Sequence, residues 1–441
     1  MDLSSLRAAV EEAPTERVTG RLVEAVGPLL EARIPGATVG SVWRVAPSAV
    51  CEVVGFRERR ALLVPLESTD GVAYGASVHH VSQSLSVPVG PELLGRVLDG
   101  MGRPMDGRPL PATTGRRKVE GGAPPALRRQ LVSQMLPTGV RVIDSMCTLA
   151  RGQRMSIMAG SGVGKSTLLG MIARHTKVDV NVICLVGERG REVREFIEHN
   201  LGPEGLARSV LIVATSEQSP ALQVKAPFLA TTIAEALRDA GLDVLLMVDS
   251  LTRLALAQRQ IGLAAGEPPT TRGFTPSVFG LLPRLLERAG PGTSGASITG
   301  LYTVLVEGDD PNDPIGDAVR GIVDGHLVLS RKLASHNHYP AVDVLSSLSR
   351  IMDRVVTPRH RAVAARCRDL LATWDENEEL VRLGAYRKGT SPVVDDAIER
   401  IPAVHKWLRQ GNEVGAFQDD LARLEAALGI KASPNAAASA H

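Results

Sequence analysis

Arg154 to His175 reads RMSIMAGSGVGKSTLLGMIARH. The run RMSIMAG is strand-length and mostly apolar, a glycine-spaced turn follows, and the apolar clustering of a helix resumes after it. A strand passing through a tight loop into a helix is the building unit of an α/β fold. At its centre, Ala159-Gly160-Ser161-Gly162-Val163-Gly164-Lys165-Ser166 matches the Walker A phosphate loop, with Ala159 where a glycine usually stands. Successive backbone N–H groups must turn inward around phosphate oxygens, and Gly160, Gly162 and Gly164 give the freedom for that, with Ser161 and Val163 between them. Lys165 is placed to neutralise the β- and γ-phosphates, and the helix N-terminus adds its dipole. Ser166 offers a hydroxyl to Mg²⁺ and Thr167 a further phosphate contact. A glycine-rich turn with a surface lysine needs none of these features in this order.

Downstream, DVLLMVDS ends in Asp249, which fits a Walker B carboxylate holding the Mg²⁺ shell through water. An aspartate capping the next helix is the alternative. Between the two motifs, NVICLVG leads into Glu188-Arg189. A carboxylate at the carboxyl edge of a strand beside the phosphate loop can orient an attacking water, although a surface ion pair with Arg189, Arg191 or Arg194 also fits the spacing. With VLIVATS and SITGLYTVLVEG, these runs alternate with helical stretches from Gly139 to about Pro358, as in a parallel sheet covered on both faces.

Working outward, residues 17–97 alternate short β-rich runs such as GRLVEAV and ALLVPL with Gly and Pro turns, predicting a small β-barrel. Residues 98–135 form the expected linker, in which Asp106 to Arg129 is rich in Pro, Gly and Arg with no apolar period. The P-loop domain is expected over 136–358, a helical domain over 359–430 and a disordered tail over 431–441. Residues 1–16 are expected to include a short helix. The expected fold class is α/β: an N-terminal small β-barrel, a central RecA-like P-loop parallel-sheet ATPase domain and C-terminal helices.

Composition narrows the function. The 441 residues carry a formal charge of +2, too balanced to mark a nucleic-acid groove or an anionic membrane surface. Cys51, Cys147, Cys184 and Cys367 are scattered without a C-x-x-C pair, which suggests reduced thiols rather than bridges or metal ligands. The longest strand runs are too short to span a bilayer and the N-terminus is charged, so membrane association is expected to be peripheral.

Four further blocks carry a family resemblance: VGERGREVREFIE after the second strand, GEPPTTRGFTPSVFGLLPRLLERAG at 266–290, YTVLVEGDDPNDPIGDAVRGIVDGHLVLSRKLA at 302–334, and HYPAVDVLSSLSRIM at 338–352. The last contains P-A-V-D-x-x-x-S-x-S. The sequence resembles the catalytic subunits of rotary ATPases, and more closely the type III protein-export ATPases, over roughly residues 17–425. The resemblance implies a homohexamer with ATP bound at each subunit boundary. It implies that Glu188 is the catalytic glutamate, that Arg189 is its neighbour in the GER motif, that Tyr339 packs on adenine, and that Arg350 reaches the neighbouring subunit's γ-phosphate. A core tyrosine and a structural salt bridge are the alternatives for Tyr339 and Arg350.

The implied partners are a stator-like regulator near Leu3–Val10, a central stalk protein, chaperone–effector complexes and an export gate. The implied location is cytoplasmic, peripheral at the cytoplasmic face of the bacterial inner membrane. VLVEGDDPNDPI, LAAGEPPTTRGF and SRKLASHNHYPAVDVL favour the injectisome branch over the flagellar one. A ring RNA helicase of the termination-factor type would need a base-stacking platform, yet only 3% of residues are aromatic, with no N-terminal cluster of them; no nucleic acid is expected. Glu188 argues against a non-catalytic nucleotide-binding ring subunit, and VEGDD, LSRKLA and VREFIE against a rotary synthase subunit. The expected enzyme is a Mg-ATP-hydrolysing ring ATPase of type III protein secretion that releases chaperones and helps unfold exported effectors.

Overall fold

The computed structural model describes residues 19–430 except 113, 120, 294, 307–309 and 311. The expected N-terminal helix with its regulator-binding segment and the expected tail therefore lie outside the described residues. Thr19–Val26, Leu29–Arg33, Val42–Val45, Ala49–Arg57, Arg60–Pro65 and Ser77–Ser82 close into a six-stranded barrel, the last strand returning to pair with the first. Alternating residues, including Leu30, Trp43, Val45, Cys51 and Leu63, fill its interior. Glu58 and Arg59 both take left-handed φ, 46° and 66°, so the two-residue hairpin between paired Arg57 and Arg60 has a turn whose twist matches its strands.

The barrel ends sooner than the expected boundary at Val97. Arg96–Asp99 instead pairs in parallel with Ser209–Ala214 at the edge of the central sheet. A four-residue run between Gly95 and Gly100 has no local feature that distinguishes a barrel strand from a sheet edge. The expected linker is likewise tied down. Gly115–Lys118 pairs with Ser86–Val89, and the Val119 carbonyl accepts from the buried Arg288 guanidinium at 3.0 Å.

The central sheet runs Val342–Ser349, Gly325–Leu329, Arg154–Ala159, Ser297–Leu305, Val244–Asp249, Val180–Val186, Ser209–Ala214, Arg96–Asp99. It is mostly parallel, with two exceptions: Val342–Ser349 runs antiparallel at the other edge, and Gly290–Pro291 pairs antiparallel with Ser297–Leu305. Every residue of Val180–Val186 and Val244–Asp249 is buried, as continuous apolar strands covered on both faces require. All four inner strand ends, Ala159, Leu305, Asp249 and Val186, emerge at one edge of the sheet.

Helices Pro358–Arg382, Pro392–Leu408 and Phe417–Ala427 form the C-terminal region, with Val363, Cys367, Ile401, Val404 and Leu424 in one core with Ile143 and Leu168. The barrel shares the other core: Leu29, Val42, Leu62 and Val64 pack with Val224, Leu229 and Ile261. Lys225 pairs with Glu52 at 2.6 Å, and Arg57 donates to the Ala265 carbonyl at 2.7 Å across the same junction. All four cysteines are buried and free. Among the described residues, no helix is long and apolar enough to cross a membrane.

Candidate active site

Ala159 is the last residue of its strand and pairs laterally with Leu305 and Leu329. An extended residue accommodates a Cβ without strain, which explains why the first loop position need not be glycine. Gly162 and Gly164 do need the freedom, with φ of 76° and 89°; Gly160 does not take a positive φ. Val163 anchors the loop with a buried side chain, while Ser161 is exposed. Gly164 caps the helix Lys165–His175, whose first-turn N–H groups have no partner within the helix and present a donor cradle beside exposed Ser166 and Thr167.

Lys165 is where the three motifs meet. Its Nζ donates to Asp249 Oδ1 and stands 3.4 Å from Glu188 Oε1. Asp249 is buried and also accepts from Thr303 Oγ1 at 2.5 Å. Ser250, not Asp249, caps the following helix, its side chain accepting from the Arg253 N–H, so the capping alternative for Asp249 fails. The surface ion-pair alternative for Glu188 fails as well. Arg189, Arg191 and Arg194 pair with Glu192, Glu195 and Glu198 at 3.3, 3.1 and 2.7 Å.

Burial pushes the Glu188 carboxyl up to about 7 against the pull of Lys165, and a hydrogen bond to Glu192 and the charge of Asp249 reinforce the rise. That same hydrogen bond lowers Glu192. The pair therefore favours protonation of Glu188 over Glu192. Both line a cavity of about 100 Å³ with Ser166, Asp249, Val193 and Phe196. A hydroxyl and carboxylates are hard oxygen donors, the set that suits Mg²⁺ when substrate phosphates and water complete its shell. Glu192 and Thr303 were not singled out by the sequence. Glu192 follows Glu188 by four residues, the helical spacing that returns a side chain to one face, whereas Thr303 is hidden in an apolar strand.

The remaining expected residues lie elsewhere. Arg189 is on the surface and does not line the cavity. Tyr339 is 40% exposed, not a core residue, and its ring stands 3.2 Å from where a Cβ on Gly164 would be. Beneath it, His338 packs edge-to-face on His405, and burial, with Arg409 and His405 nearby, lowers His338 to about 4.

Arg350 lies at the opposite end of the sheet. Its N–H donates to the Asp324 carbonyl at 2.9 Å, and the Asp324 N–H donates to the Arg154 carbonyl at 2.8 Å, so Arg350 is level with the start of the phosphate-loop strand. Six residues of strand separate that level from Gly160, about 20 Å, beyond the reach of any side chain. Its guanidinium is exposed and donates to the Arg320 carbonyl at 3.2 Å; among the described residues it has no carboxylate partner, so the salt-bridge alternative also fails.

Residues 139–349 match the nucleotide-binding domain of the ATP synthase alpha/beta family, and residues 356–426 match the T3SS EscN ATPase C-terminal domain. The chain is 52% identical over 408 residues to a type 3 secretion system ATPase of Xanthomonas euvesicatoria, covering 91% of this chain and 92% of that one. It is 46% identical over 426 residues to the flagellum-specific ATP synthase of Bacillus subtilis (strain 168), covering 95% and 97%. The assembled ATPase EscN of the enteropathogenic E. coli type III secretion system superposes with a TM-score of 0.89 at 43% identity, and in complex with its central stalk EscO with 0.85 at 42%. Each superposition covers 93% of this chain and all of EscN.

Proposed function

Because this chain belongs to the ATP synthase alpha/beta family and is an ATP-hydrolysing ATPase of the type III secretion and flagellar export group, we propose that it is the Mg-ATP-driven ring ATPase of an injectisome. Its work is chaperone release and unfolding of exported effectors at the cytoplasmic face of the inner membrane. The observation that carries the catalytic part is the meeting of Lys165 with Glu188 and Asp249, two carboxylates that line one cavity with Ser166. The backbone of Gly160 to Lys165 binds the phosphates. Ser166 and Asp249 would hold Mg²⁺, which would spread the charge of the phosphates. Incoming phosphate oxygens compete with Glu188 and Asp249 for Lys165, and Glu188 in its ionised form orients the attacking water. Tyr339 supplies an aromatic platform for adenine.

Arg350 acts on the neighbouring chain's site, because in its own chain the length of a strand separates it from the phosphate loop. A guanidinium offers fixed donors to the equatorial oxygens on which charge builds during transfer. The sequence blocks quoted above support the injectisome branch, while the relatives carry both secretion and flagellar names. The EscN–EscO complex supports a central stalk partner, and the family resemblance supports a stator-like regulator and an export gate.

The test is Glu188→Gln. The amide keeps the shape and loses the basic oxygen, so ATP binding by titration should persist while turnover falls by roughly 10²- to 10⁴-fold. Expressed in the native host, the variant should abolish effector secretion and spare motility. Turnover near wild type would move the water-orienting role elsewhere, and loss of motility alone would assign the chain to flagellar export.

A further inference from the structure

Gln410 lies two residues beyond the helix Pro392–Leu408 and is buried, with 7% of its surface exposed. Its amide is engaged on both sides. Oε1 accepts from the Arg141 N–H at 2.8 Å, and Nε2 donates to the Gly139 and Glu413 carbonyls, both at 2.8 Å. Its backbone N–H donates to the Tyr339 carbonyl at 2.9 Å. The adjacent Arg409 carbonyl accepts from the Arg141 guanidinium at 2.9 Å, which doubles the tie to the same segment. Gly139 in turn packs on the far end of the phosphate-loop helix, since a Cβ there would stand 2.7 Å from Cβ of His175. The Tyr339 ring therefore rests on the first turn of that helix, and its backbone is fixed through Gln410 to residues that pack on the last turn.

We propose that Gln410 is a positioning residue for base recognition, setting the height of the Tyr339 ring over the phosphate loop; this rests on the reading of Tyr339 as the adenine platform. A neutral amide with one acceptor and two donors matches the three groups that surround it. Glutamate keeps the length but turns two donors into acceptors that face two carbonyls. Alanine removes all three side-chain bonds while leaving the backbone bond to Tyr339 without its anchor.

Full-length protein is assayed for the KM of ATP and for competitive inhibition by inorganic triphosphate, which fills the phosphate loop and has no base. Gln410→Ala and Gln410→Glu should each raise the KM of ATP by roughly tenfold, below the roughly hundredfold that a 1 Å misplacement can cost. The triphosphate inhibition constant should stay within about twofold, because the loop itself is untouched. In a Tyr339→Ala background, Gln410→Ala should add nothing further, since a residue acting through the ring has no effect once the ring is gone.

Equal weakening of ATP and triphosphate, an unchanged KM, or full additivity with Tyr339→Ala would overturn the proposal. Unfolding of both Gln410 variants in thermal melts would assign the residue to folding and overturn it as well. If Tyr339→Ala alone leaves the KM of ATP unchanged, the platform reading falls and takes Gln410 with it. If Tyr339→Ala raises the KM and the Gln410 variants do not, only the role of Gln410 falls.

Discussion

Burial sets the Glu188 carboxyl above the ordinary glutamate range in the nucleotide-free protein, with Glu192 hydrogen-bonded to it and Lys165 on its other side. Its pKa rises on folding from 4.5 to about 7, so between those values the folded state binds more protons than the unfolded one. Stability from this group is fully present below that window and is lost as pH rises through it. Glu188→Gln removes the titration. We expect the melting temperature of nucleotide-free wild type to fall more steeply than that of the variant between about pH 5 and about pH 7.5. Parallel curves would show that Glu188 does not hold its proton. The phosphate loop, Asp249 and Glu188 were legible in the sequence because each sits at a strand end with a chemically specific type. Thr303 was not, because a hydroxyl inside a continuous apolar strand declares its partner only when the neighbouring strand is in register.

The phosphate-loop helix shows how element packing can reverse a local preference. Gly170 lies in its interior, and a Cβ there would stand 2.7 Å from both Cβ and the carbonyl oxygen of Asn200, in the π-helical segment Phe196–Leu201. Propensity alone favours alanine in a helix by about 1 kcal/mol. Overpacking against backbone costs about 1–3 kcal/mol, so packing wins. Gly170→Ala should lower the melting temperature, and a rise would show that the Phe196–Leu201 segment yields freely. The same dependence on neighbours limited the reading of elements from sequence. Ser86–Val89 and the first two residues of Arg96–Asp99 were assigned to the barrel region because β-rich composition names a strand without naming its sheet. The antiparallel edge strand Val342–Ser349 was read as a motif and not as a strand, since its mixed burial gives no clean alternation.

At the scale of the whole molecule, Lys165 and Arg350 stand at opposite ends of one sheet, and neither belongs to the other's site within a chain. Arg350→Ala should fold and bind nucleotide while losing turnover by roughly 10³- to 10⁵-fold. Lys165→Ala should fail to bind it. In a random equal mixture, about a quarter of boundaries would join an intact phosphate loop to an intact Arg350 in a head-to-tail ring. ATP hydrolysis should therefore reappear when the two inactive preparations are combined and labelled subunits are seen to exchange. Exchange without regained hydrolysis would return Arg350 to a role in its own chain. The separation of the two residues also has a genetic consequence. If Arg350 serves the neighbour's site as proposed, then in a cell making both normal and altered chains a single defect silences one boundary per altered chain and lowers output in proportion to dose. An allele with both defects silences two, so its harm rises more steeply at low dose, and it would act as the stronger dominant inhibitor although each altered chain on its own is no more inactive.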